Sequence, residues 1–317
     1  MSGVGNRHVV MTGSVAVPAV AASCEALLTT QKKSPARRPD APAFVLSAAW
    51  LWKGVPILAT IVLDAYRQTE AAELRAALKS LLPKAGPHWS RTGLYCYFDP
   101  LTHEILYLGL AKDLQARFAQ HNALVGKDAR GNKRQEIANY FAESELLGFS
   151  IYVQSAAVEL LEIMGLETAA QIVGFGEGQL LRSHVQAFGA VPRWNKIEGR
   201  RDGAEEAGPL TPQHFTLLSG KHDSLLVARR TIRGLDDDYS ADFMEQTLHA
   251  ARLNALLYGA GRPGGVGDAE IRDWLSKLSN DPRWGGSASS VLMLEESGYL
   301  REPAPDLVRR APGQGSQ

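Results

Sequence analysis

Cysteine is nearly missing from this chain, which carries two, Cys24 and Cys96, in 317 residues. Seventy-two positions apart and without CxxC-type spacing, they exclude a disulfide framework and a thiolate zinc site and fit a reducing compartment. Net charge is missing too: 34 Lys and Arg balance 34 Asp and Glu, so no global attraction draws the chain to a polyanion. Only local basic clusters could do that. Long apolar runs are also absent. The stretch 41–66 is interrupted by Lys53, Gly54 and Pro56, short of the roughly 20 residues a spanning helix needs, and reads as a buried strand or helix pair. The stretch 9–24 is broken by Thr12, Gly13, Ser14 and Pro18, which argues against a signal peptide. No membrane partner is expected, and the location reads as cytoplasmic.

What is there is an ordinary core-forming composition, 45% hydrophobic and 21% charged. Residues 1–40 are small, polar and punctuated by Pro and Gly, a flexible tail. Residues 41–87 form a partly helical N-terminal extension. Within it Thr69 should cap a helix over 69–82 that buries Leu74, Leu78 and Leu81. A middle block over 88–201 follows. "GLYCYFD" and "EILYLGLA" predict a hairpin that contains Cys96, and Asp113 should cap the helix "LQARFAQHNAL". A helix "RQEIANYFAES", a third strand "GFSIYVQSA" and a last helix "GEGQLLRSHVQAFG" complete the block, with 157–175 also helical. Residues 202–234 read as a connector, 235–302 as a helical C-terminal domain and 303–317 as a second flexible tail.

Two triplets, Gly93-Leu94-Tyr95 and Tyr107-Leu108-Gly109, place tyrosines twelve residues apart, and Arg117 and His121 follow at helical spacing. Singly, each residue has a plain explanation. Tyr95 and Tyr107 suit any hairpin, and Arg117 and His121 suit a solvated helix face. Glu177 suits the start of a helix, where an acid complements the macrodipole. Asn195 suits a turn. Together they are sufficient for phosphodiester hydrolysis. Glu177 is a hard oxygen ligand for Mg²⁺ (or Mn²⁺), which needs few carboxylates and keeps several waters. Arg117 can grip a phosphate in bidentate fashion. A tyrosine hydroxyl near a cation can accept or relay a proton.

This ordered set resembles the GIY-YIG nuclease family over about residues 88–201. GLY and YLG stand for the two triplets, Arg117 and His121 lie on the next helix, Glu177 opens a later one, and "VPRWN" supplies Asn195. Leu replaces Ile in both triplets, and 157–175 looks like an insertion, so Glu159, Glu162 and Glu167 remain rival carboxylates. The resemblance implies an α+β fold with a three-stranded antiparallel sheet flanked by helices. It implies Tyr95 as general base or water-positioner, Tyr107 as a phosphate or water contact, and Asn195 as a structural organiser. DNA is the implied partner, with a homodimer compatible with the pattern.

The block over 91–200 holds eleven Lys/Arg against twelve Asp/Glu, a net of −1, so backbone contacts must come from local clusters. Lys127, Arg130, Lys133 and Arg134 form one, and Arg193 and Lys196 belong to another. In the C-terminal block, three helical patterns and "SGYLRE" suggest a winged helix with the wing starting at Gly298. The recognition helix would then be "SASSVLMLEES", which has two glutamates and no cation. Three readings stand: a metal-dependent DNA endonuclease of restriction or mobile-element type, a non-catalytic nucleic-acid-binding or regulatory protein on a nuclease scaffold, and an interaction protein whose tyrosines are core.

Overall fold

The computed structural model describes residues 60–82, 92–126, 133–153, 169–196, 204–205, 212–237, 239–259, 268–280 and 285–308. The expectations for residues 1–40, Cys24, Lys127, Arg130, Glu159, Glu162 and Glu167 lie outside them.

Four strands form one antiparallel sheet: β1 (Thr60–Tyr66), β2 (Gly93–Phe98), β3 (Ile105–Ala111) and β4 (Leu147–Val153), in the order β1-β4-β2-β3. The expected sheet had three strands. The fourth, β1, comes from the apolar stretch 41–66 and pairs with β4 along its whole length, Thr60 opposite Val153 through Tyr66 opposite Leu147. Every residue of TIVLDAY is buried, so the strand shows no polar alternation, and a continuous apolar run does not distinguish strand from helix.

Helices cover both faces. On one, Tyr95 and Tyr97 pack with Leu74 and Leu78 of α1 (Ala71–Leu81) and with Leu114 and Phe118 of α2 (Leu114–His121). Tyr140 of α3 (Arg134–Glu143) joins the same cluster. On the other face, Leu94, Cys96 and Phe98 meet Leu180 and Leu181 of α4 (Ala169–Phe188) and Phe215 of α5 (Pro212–Leu218). This is period-2 alternation with both faces dry. The pairing shifts after Tyr97 opposite Tyr107, so that Phe98 faces Ile105 and Leu106 is an extra residue. That bulge turns Ile105 and Tyr107 toward opposite faces of the sheet.

Asp113 caps α2 as expected, accepting from the Ala116 N–H at 2.9 Å. Thr69 does not cap α1. A 3₁₀ turn over Gln68–Glu70 precedes that helix, and Glu70 folds back to accept from the Arg67 N–H at 2.9 Å.

The C-terminal block contains α6 (Ile232–Asp237), α7 (Tyr239–Gly259), α8 (Asp268–Asn280) and α9 (Gly285–Glu296). No wing strand follows α9 among the described residues. Gly298 takes φ 76°, both Arg301 and Glu302 N–H groups return to its carbonyl, and Tyr299 turns into the core to donate to the Glu245 carboxylate. The stretch 202–234 contributes to the sheet rather than only crossing space. Ile61 N–H donates to Leu226 O at 2.8 Å and Ala228 N–H to Ile61 O at 2.9 Å, which covers the outer edge of β1. Leu307, beyond the last helix, is buried against the second core cluster. The fold is thus mixed α+β, with nine α-helices among the described residues and none of them long and apolar enough to cross a membrane.

Candidate active site

Gly109 explains the second triplet. A Cβ built on it would stand 2.7 Å from Tyr107 Cε1 and 2.8 Å from Tyr95 Oη, closer than real Cβ contacts come. Glycine here lets two tyrosine rings, with centroids 5.7 Å apart, converge over the backbone of β3. Gly93 has a different reason: a Cβ there would meet the Tyr152 carbonyl oxygen at 2.6 Å.

His121 stands behind Tyr95 and is fully buried. Its Nδ1 is 2.8 Å from the Lys133 backbone N–H. An amide only donates, so Nδ1 accepts and the neutral ring carries its proton on Nε2. That proton points to Tyr95 Oη at 2.7 Å. Burial first, then the charges of Arg117 and Lys133, push the imidazole pKa down to about 3, which keeps the ring neutral. Tyr95 thus accepts from His121, and the Tyr107 ring packs beside it with centroids 5.7 Å apart. The chain runs from the Lys133 amide through His121 to Tyr95, and Tyr107 packs against its end.

The two tyrosines differ in access. Tyr95 is 2% exposed, whereas Tyr107 is only partly buried. Burial raises both phenol pKa values; for Tyr107 the Glu177 carboxylate adds to the rise and Arg117 opposes it. The same two charges act on Tyr95. Glu177 and Arg117, both half-buried, therefore approach the tyrosine pair from α4 and α2. The sequence placed Glu177 at a helix start. Instead α4 begins at Ala169, so Glu177 lies two turns inside it and away from the macrodipole end.

Asn195 clasps the free edge of β3. Its Oδ1 accepts from Leu108 N–H at 2.9 Å and its Nδ2 donates to Leu108 O at 2.8 Å. Next to it, Trp194 N–H donates to Leu106 O at 2.8 Å. The side chain mimics a strand and satisfies an edge that would otherwise be open.

The basic candidates separate. Lys133 is 6% exposed, with Nζ 2.6 Å from Trp194 O, 3.4 Å from the Glu136 carboxylate and 4.9 Å above the Tyr107 ring. Arg134 donates to the carbonyls of Gln120, Val125 and Gly126. Both are turned inward to hold the loop and the tyrosines, so neither presents its charge as a solvated phosphate contact. Arg193 and Lys196 are exposed. No sequence signal marks the Lys133 amide, because every non-proline residue has one.

For a cation, no group of three or more His, Cys, Asp or Glu exists among the described residues. These residues therefore form no closed cage of protein ligands. One carboxylate beside two hydroxyls and an arginine does fit a hydrated Mg²⁺ held at a single anionic point. No family model, no curated protein and no solved structure matches the chain.

Proposed function

We propose that the chain is a metal-dependent phosphodiester hydrolase of GIY-YIG type that cuts DNA. The observation that carries the reading is the hydrogen-bonded line Lys133 amide–His121–Tyr95, which ends against the partly buried Tyr107, on whose phenol Glu177 and Arg117 act. A buried relay of this length is more than a hairpin core requires, since a phenylalanine pair would pack as well.

Arg117 grips a phosphate oxygen, and Asn195 keeps β3 in register so that Tyr107 holds its place. Burial alters the division of labour between the tyrosines. Tyr107 takes the outer position and meets the attacking water, and Tyr95 orients it from behind with the neutral His121 as its donor. Glu177 is the residue that would hold Mg²⁺, which supplies charge neutralisation at the phosphate and lowers the pKa of groups close to it. Supercoiled plasmid incubated with and without Mg²⁺ tests the reading. Divalent-dependent nicking, lost in Glu177→Ala, supports it. Salt-dependent retention of DNA without any cut favours the non-catalytic alternative.

A further inference from the structure

On the opposite face of the sheet from Tyr107 lies a pocket of about 560 Å³, within the range of small-ligand sites. One wall is aromatic. Phe188, at the end of α4, is 50% exposed, and its ring sits 4.6 Å from that of His184 and 5.4 Å from that of Phe215. His184 Nδ1 is 2.7 Å from the Ala190 carbonyl, to which it donates, and burial lowers its pKa, so the wall stays uncharged. The rim carries Arg193 and Lys221, against one acid, Glu104, whose pairing with Arg193 is loose at 3.9 Å between two exposed side chains. An aromatic wall with an exposed ring under a net positive rim is what a stacked base with its phosphate requires.

Position adds a second argument. The segment 192–195 runs along the free edge of β3, with Arg193 at the pocket and Trp194 and Asn195 fixed to Leu106 and Leu108. It therefore links the pocket on one face to the Tyr107 site on the other. We propose that this pocket binds an unpaired nucleobase of a strand that passes around the β3 edge, the ring stacking on Phe188 and its phosphate meeting Arg193 and Lys221. The proposal rests on the nucleic-acid reading of the Tyr107 site and names the form of substrate it takes: DNA with a single-stranded or flipped-out nucleotide.

The test is fluorescence anisotropy with labelled oligodeoxythymidine, with the same oligomer carrying one abasic residue, and with blunt duplex. Plasmid nicking and thermal melting are measured on the same proteins. Wild type should bind the single strand more tightly than the duplex, and Phe188→Ala should weaken single-strand binding about tenfold or more with melting unchanged. Phe188→Tyr should restore it, Lys221→Glu should weaken it most at low salt, and the abasic oligomer should lose affinity only for proteins with the aromatic ring. Equal binding by wild type and Phe188→Ala, or no oligomer binding at all, overturns the pocket. If Phe188→Ala instead lowers the melting midpoint and leaves binding intact, the ring serves internal packing and the proposal fails. Plasmid nicking with Phe188-independent binding sinks the pocket alone, and Phe188-dependent binding without nicking sinks the hydrolase reading alone.

Discussion

At the scale of single residues, the sharpest distinction concerns Glu177. Were it a dipole-complementing acid, its loss would cost about 0.3–1 kcal/mol and spare activity, but that account needs the first helical turn. Two turns into α4 and acting on both tyrosines, it has no such role. Glu177→Ala should abolish Mg²⁺-dependent nicking while circular dichroism is unchanged and DNA retention persists. A folded variant that nicks at the wild-type rate removes it from the site. Gly109→Ala should be worse than its size suggests, since the new methyl meets Tyr95 Oη and the Tyr107 ring. We expect about 1–3 kcal/mol of lost stability in urea unfolding together with lost cleavage.

His121 makes a pH prediction of definite sign. Folded, its pKa is near 3 because of burial, Arg117 and Lys133; unfolded, it returns to about 6.5. The groups facing it are Tyr95 and Tyr107, with Tyr97 edge-on. Between those two pH values the unfolded chain binds a proton that the folded chain refuses. Stability from this residue is therefore present above pH 6.5 and is lost as pH falls toward 3, by up to about 1.4 kcal/mol per unit. Equilibrium unfolding of His121→Gln should show a shallower slope over that window.

At the scale of elements, β3 is an edge strand whose pairing is completed by a side chain. Asn195→Ala would leave Leu108 N–H and C=O without partners, at about 1–3 kcal/mol for each group that water does not reach. Hydrogen exchange at the Leu108 amide should rise sharply, and cleavage should fall because Tyr107 sits on the adjoining residue. Asn195→Asp retains one acceptor and should protect that amide partly. The hairpin β2–β3 and the capped helix α2 were legible in the sequence because aromatic runs, the Asp99-Pro100 break and the Asp113 cap are local signals. The true start of α4 was not, because its first turn carries no acidic residue and Gly174, Gly176 and Gly178 interrupt the helical pattern.

At the scale of the whole molecule, the helical C-terminal block closes the same core that holds the site. Arg233 reaches across to Asp64 of β1 at 3.0 Å and to Glu70 and Glu73, and Asp64 is 2% exposed. Arg252, fully buried on α7, donates to Thr60 at the head of the same strand. Arg233→Ala should destabilise by about 3–5 kcal/mol in urea unfolding, because it strands a buried carboxylate. Removing Asp64 as well should cost less than removing Arg233 alone. For the same reason a fragment of residues 88–201 should not fold: it lacks β1, the 225–228 segment and the helices that cover the sheet. A cooperative thermal transition from that fragment would refute this.

What the sequence determined by itself was everything carried by neighbours along the chain: the strands around the two tyrosine triplets, the Asp113 cap, the leucine stripe of α1, and the spacing that singled out Tyr95, Tyr107, Arg117, His121, Glu177 and Asn195. Only the tertiary structure decided which of them face each other and in what order protons are donated. Register, burial and a backbone amide belong to no residue type. The Lys133 N–H sets the tautomer of His121, Gly109 sets the distance between the tyrosines, and a bulge at Leu106 sends Ile105 and Tyr107 to opposite faces. These are contacts between distant segments, and their energies exist only once the sheet has closed.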